Sequence, residues 1–171
     1  MATPLPPSRR TRALAVKHIT VPRNLRQACD EFNGGRFFEC HETLEEIWQE
    51  EQGPVRDLYK GLIQVAAAFV HVTRNNFIGA DRLLRTGQAY LAPYRALGAM
   101  GFDVARICAE AARAHAEVLR LGPRQLDRFA ASLIPRFAVN EQRLAAESMR
   151  WGAWGFDAAG QAQEMEITVI E

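Results

Sequence analysis

A chain of 171 residues, nearly half of them hydrophobic and carrying a formal charge of +1, suits one domain with a real core and excludes a disordered protein. No stretch approaches the ~20 apolar residues of a bilayer span; the longest apolar run, VAAAFV at 65–70, lies in a helix with charges on both sides. The charge is uneven, because residues 1–29 hold six Lys or Arg and no acid, leaving the body at −5.

The first segment, ATPLPPSRRTR, has three prolines and predicts an unstructured basic arm over 1–21. That arm contains no aromatic residue before Val21, so it lacks a stacking platform, and no specific nucleic-acid binding is expected. The N-terminus lacks the apolar core of a secretory leader. Cys29, Cys40 and Cys108, odd in number and without a CxxC pair, fit reduced thiols rather than a disulfide frame. Together these predict a cytoplasmic protein without membrane contact; the Arg-rich arm leaves organelle targeting as the minor alternative.

Helical periodicity starts after Pro22, a residue suited to a first turn, and NGG stops helix one at about Asn33. Helix two is predicted at about 36–51, helix three at 54–74 and helix four at 78–97, with QGP and RNNF as the breaks between them. Asp103 is the expected N-cap of helix five, which runs to about Leu121, and GPRQ leads to a shorter helix six. In the tail over 151–171 only EITVI reads as a strand, with no evident partner. The expectation is an all-α protein: a compact bundle of about six helices over 22–150, arranged as antiparallel hairpins between a flexible arm and an irregular tail. A faint repeat at an offset of 40 residues, aligning RFFECHETLEE with NFIGADRLLRT, supports stacked helical hairpins.

On a helical wheel, Phe37, Cys40, Leu44, Ile47 and Trp48 share the core face of helix two, while Glu39, Glu42, Glu46 and Glu50 turn to water. His41 and Glu45, four apart, sit at the edge of the apolar stripe. Helix three is apolar around most of its circumference, except for a stripe of Arg56, Lys60, Gln64, Ala67, His71 and Arg74. Folding the two helices back on each other about Gln52 and Gly53 sets Glu45 against Lys60 and His41 against Gln64. It places His71 about 10 Å further along, near the 33–35 turn.

Two chemistries fit this cluster. As a structural lock or a ligand groove, the polar residues satisfy one another or a bound molecule; a buried lock predicts that His41→Ala costs about 1–3 kcal/mol. As a metal or acid–base site, His41 with Glu42 or Glu45 supplies groups able to ligate or to carry a proton. HETLE is not the zincin pattern, because Glu45 stands where a second histidine is needed. No Gly-rich phosphate loop or cofactor fingerprint is present, and Ser8, Ser132 and Ser148 lie outside any nucleophile elbow. No cofactor is expected. Trp151, Trp154 and Phe156 are candidates for capping the bundle or docking a second subunit, so homo-oligomerisation stays open.

The ordered set FNGGRFFECHETLEEIW, RDLYKGLIQVAAAFVH and RNNFIGADRLL resembles domain-of-unknown-function family 309 over about residues 25 to 95. The resemblance implies a compact helical bundle and no established activity. It carries the family's polar signature onto His41, Glu42, Glu45, Gln64, His71 and Asn75, with Trp48, Gly79 and Ala80 as packing positions. The resulting expectation is a protein that binds a small polar ligand or a protein partner at His41, Glu42, Glu45, Lys60, Gln64, His71, Arg74 and Asn75. A metal-dependent or hydrolase-like enzyme is the alternative.

Overall fold

The chain begins its regular structure with β1 (Ala15–Val21) and continues through α1 (Arg23–Asn33), α2 (Phe37–Glu50), α3 (Arg56–Thr73), α4 (Phe77–Leu91) and α5 (Val104–Leu121) to β2 (Gln163–Val169). This computed structural model describes residues 15–21, 23–53, 55–140, 142–143 and 163–169. The prolines and arginines of the extreme arm, and Trp151, Trp154 and Phe156, lie outside the described residues. The domain is helical, as expected from periodicity.

The tail strand, for which the sequence suggested no partner, pairs in parallel with β1, part of the segment expected to be unstructured. Its register sets Ile19 against Ile167, Thr20 against Thr168 and Val21 against Val169, so two identical Ile-Thr-Val triplets lie side by side.

The helical repeat is visible in the backbone. Each of the first two hairpins turns on one left-handed residue, Gly35 (φ 78°) after α1 and Asn75 (φ 54°) after α3. Glycine and asparagine are the residues that tolerate this conformation best. The surrounding bonds repeat as well: Arg36 N–H donates to Glu31 O and Asn76 N–H to His71 O, both at 2.8 Å. Both pairs use the Schellman arrangement that satisfies the last carbonyls of a helix.

Helix α3 is the central element. Leu58, Tyr59, Leu62, Val65, Ala66, Ala68 and Phe69 are fully shielded from solvent. At one end Phe69 meets Phe32 (5.9 Å), Phe37 (5.5 Å) and Phe129 (5.8 Å) between ring centroids. Edge-on and tilted pairs of this kind are preferred by aromatic quadrupoles. Along its length α3 is met closely by α4, because a Cβ on Gly61 would lie 2.7 Å from Leu91 Cγ and one on Gly87 would lie 3.1 Å from Val65 Cγ2. Bare backbone at both positions lets the two helices approach. One buried carboxylate supports the α1–α2 packing: Glu31 accepts from Gln27 Nε2 and Thr43 Oγ1, each at 2.8 Å.

Two boundaries differ from expectation. Helix four ends at Leu91 rather than near 97, because Pro93 cannot donate to the helical ladder, and the chain tightens into a 3-10 turn over Ala92–Tyr94. Asp103 does cap α5, accepting from Arg106 N–H at 3.1 Å. The expected sixth helix is replaced by two 3-10 turns, Leu126–Arg128 and Ala131–Leu133, and an extended strap. The strap's backbone groups find other partners. Asn33 donates to Phe137 O (2.6 Å) and accepts from Phe137 N–H (2.9 Å), Glu110 accepts from Arg136 N–H, and Gly101 O accepts from Asn140 N–H. Phe137 stacks on Phe32 with centroids 3.8 Å apart. Satisfied backbone and an anchored ring outweigh the local helical preference here.

The close approach of α3 and α4 gives a direct test. Gly61→Ala forces its methyl group against the fully buried Leu91 and should cost about 1–3 kcal/mol. Urea denaturation measures this, and an unchanged midpoint would show that the seam has room to spare.

Candidate functional site

The polar stripe of α3 does run along one line, but it is half-buried rather than enclosed: Arg56, Lys60, Gln64, Ala67 and His71 are intermediate in exposure and Arg74 is exposed. It forms the seam of α3 that neighbouring helices cover only in part. Counting back from the α2–α3 turn therefore gets the seam right and several partners wrong.

Lys60 does not reach Glu45. Its ammonium sits 4.5 Å from the centroid of the Trp48 ring, and the Arg56 guanidinium lies 3.8 Å from the same ring. The indole face attracts both cations and offers their stems apolar cover. The Trp48 Nε1 atom is itself buried without a partner among the described residues, as is the Tyr59 hydroxyl. Nor does Gln64 meet His41, because its Oε1 accepts a short hydrogen bond from Thr86 Oγ1 on α4.

His41 instead meets the acids of its own helix. Its Nδ1 lies 3.1 Å from Glu42 Oε1 and 4.0 Å from Glu45 Oε2. One ligand atom from each of His41, Glu42 and Glu45 falls within 4.8 Å of the others, a spacing compatible with a shared cation. The cluster is open to water: the three side chains retain 27%, 56% and 40% of their accessible surface. With solvent competing for these contacts, the stability cost of His41→Ala falls below the buried-lock expectation, to under about 1 kcal/mol.

His71 was expected at a distance from His41, near the 33–35 turn. Both residues border one groove of about 180 Å³, lined by Phe38, His41, Ala67, Val70, His71 and Arg74. The reason is Ala67: between the two histidines the seam presents only a methyl group, and the space a larger side chain would fill stays open. Phe38, which sequence patterning did not single out, is 54% exposed and forms one wall, its ring near-parallel to His41.

The protonation pattern of His71 follows from its neighbours. Asn76 caps α4 by accepting from Gly79 N–H through Oδ1 at 3.1 Å, which turns its Nδ2 donor toward His71 Nδ1 at 2.9 Å. His71 Nδ1 must then accept, and the ring proton resides on Nε2. Gly79 makes this contact possible, because a Cβ there would lie 2.6 Å from the His71 ring. Burial lowers the His71 pKa from its ordinary value, and Arg74 and Arg82 lower it further. Asn76 was missed in the sequence, although an asparagine directly before a helix is a standard capping signal. Asn75, counted among the site residues, is the left-handed turn residue after α3.

A second polar junction ties α4 to α5. Asp81 Oδ1 lies 2.8 Å from His115 Nε2, Gln88 Nε2 lies 3.2 Å from His115 Nδ1, and Arg85 clasps both Asp81 oxygens. The His115 contact is the main cause of a lowered Asp81 pKa. Both His115 nitrogens are occupied, so the junction holds helices together rather than offering a free base. The thiols do not supply a nucleophile: burial pushes Cys29 up to about 12 and raises Cys40 and Cys108 as well.

Residues 25–83 match the family model described as domain of unknown function DUF309. Every lining residue of the groove, and the His41–Glu42–Glu45 cluster, falls inside that match. The chain is similar to "Uncharacterized protein YpuF" of Bacillus subtilis (strain 168), at 42% identity over 80 residues, covering 45% of this chain and 46% of that protein. The chain thus spans about half the length of the curated relative it matches. No solved structure matches.

The lowered His71 pKa fixes the sign of a pH effect. Folding favours the neutral ring, so the unfolded chain takes up its proton first as pH falls through about 6.5. Stability should therefore drop below that point and level off once the folded ring also protonates. Melting temperatures across this range should fall less steeply in His71→Gln, and an identical slope in both proteins would count against the neutral-ring assignment.

Proposed function

We propose that this protein is a binding module whose ligand is a small polar molecule seated in the groove between α2 and α3. The observation that carries this reading is that His41 and His71, from different helices, line one groove of about 180 Å³ together with Phe38 and Arg74. Polar groups converging on a partly apolar cleft are the usual composition of a ligand site. A cytoplasmic location accords with it: the cysteines remain free, and among the described residues no helix is long and apolar enough to cross a membrane. A protein partner that inserts one side chain into the same groove is the larger-scale version of this reading.

The test is a thermal-shift screen of small metabolites on the native chain and on Ala67→Trp, which fills the groove floor. A compound that raises the melting temperature of the native protein and not of the variant supports the site. Equal shifts in both would place binding elsewhere.

A second reading is a metal-dependent, hydrolase-like enzyme built on His41 with Glu42 or Glu45, favoured by their ligand atoms lying within 4.8 Å of one another. Three protein ligands plus water would complete a catalytic zinc site. Elemental analysis of the purified protein and of His41→Ala decides between them. Stoichiometric metal lost in the variant supports the enzyme, while a metal-free native protein that takes up none on dialysis against zinc removes it.

A further inference from the structure

The chemistry of the groove wall narrows the ligand class, given the groove reading above. Its six lining residues divide into an apolar set, Phe38, Ala67 and Val70, and a nitrogen-bearing set, His41, His71 and Arg74. Among the described residues no carboxylate lines it. Glu42 and Glu45 face the Nδ1 atom of His41, which leaves Nε2 of that ring for the groove.

On the other wall, the Asn76 cap directs the single ring proton of His71 to Nε2, where no described residue accepts it. Arg74 is exposed, and among the described residues no carboxylate pairs with it. Arg82 adds a further positive charge close enough to act on His71. The capped N-terminus of α4 abuts the same ring through Gly79, so the backbone dipole there is positive too. A fork of guanidinium donors beside a neutral N–H donor suits a planar two-oxygen acceptor. The opposite wall is a phenyl ring, a methyl group and an isopropyl group.

We infer that the groove recognises a small organic carboxylate with an apolar body, its oxygens against Arg74 and His71 Nε2–H and its hydrocarbon on Phe38, Ala67 and Val70.

Benzoate and its neutral isostere benzamide are the probes, titrated into the full chain at neutral pH while the histidine ring resonances are followed by proton–nitrogen NMR. Benzoate should shift the His41 and His71 signals with a Kd at least about tenfold below that of benzamide, a difference of about 1.4 kcal/mol. Arg74→Gln, a change at an exposed helix end, should remove that preference and bring the two Kd values together. Equal affinity for the two probes, or benzoate binding untouched in Arg74→Gln, would overturn the carboxylate assignment while leaving the groove reading intact. A peptide with a free C-terminal phenylalanine that binds where benzoate does not would replace the small acid with a protein terminus. Silence of both rings toward every probe sinks the groove reading and this inference together.

Discussion

The near-contact of two helix backbones at Gly61 and Gly87 is the constraint on which the molecule rests. It draws α4 onto α3 along the side of α3 that carries Gly61, Gln64 and Val65. The same helix then brings Gly79 against the His71 ring and Asn76 within hydrogen-bonding reach of it. The groove wall is thus set by packing several turns away. Small residues perform this service because only they let a helix axis come close enough for the capping residue of one helix to orient a side chain of the next.

Electrostatics along the α2–α3 seam are arranged by segregation rather than pairing. Cations that face α2 rest on the Trp48 ring, Glu42 and Glu45 gather around His41, and Arg74 is exposed at the far end. A seam whose charges neutralised one another would be a structural joint. Among the described residues Arg74 pairs with no carboxylate and the His71 N–H with no acceptor, which leaves a directed positive edge at that end of the seam.

Much of the fold was legible because the breakers are explicit. The residues NGG, QGP and RNN stop helices where the apolar period also lapses, and Asp103 announces its helix. Pro93 was readable as well, yet a periodic pattern continuing to Leu97 masked its effect. The sixth helix failed for a different reason, since Phe129, Ile134 and Phe137 each find a separate berth on the core and together demand an extended path. At the site, His71 and Arg74 were identifiable as part of a polar stripe on an apolar helix, and His41 by its place at the edge of the apolar stripe of α2. Their partners were not, because axial counting cannot foresee that an indole face will outcompete Glu45 for Lys60, or Thr86 outcompete His41 for Gln64. Phe38 was hidden by its type, since an exposed aromatic at a helix start looks like any other apolar residue until the opposing Ala67 is known.

The bonds between Asn33 and Phe137 join residues 104 positions apart, whereas the hairpin contacts are nearly all between sequence neighbours. Loop closure of that length carries an entropic cost that short hairpins avoid. The molecule thus holds two kinds of contact, hairpins local in the chain and a strap whose bonds and Phe32–Phe137 stacking close a long loop, so the cover over Phe32 is separate from the Gly61–Gly87 approach.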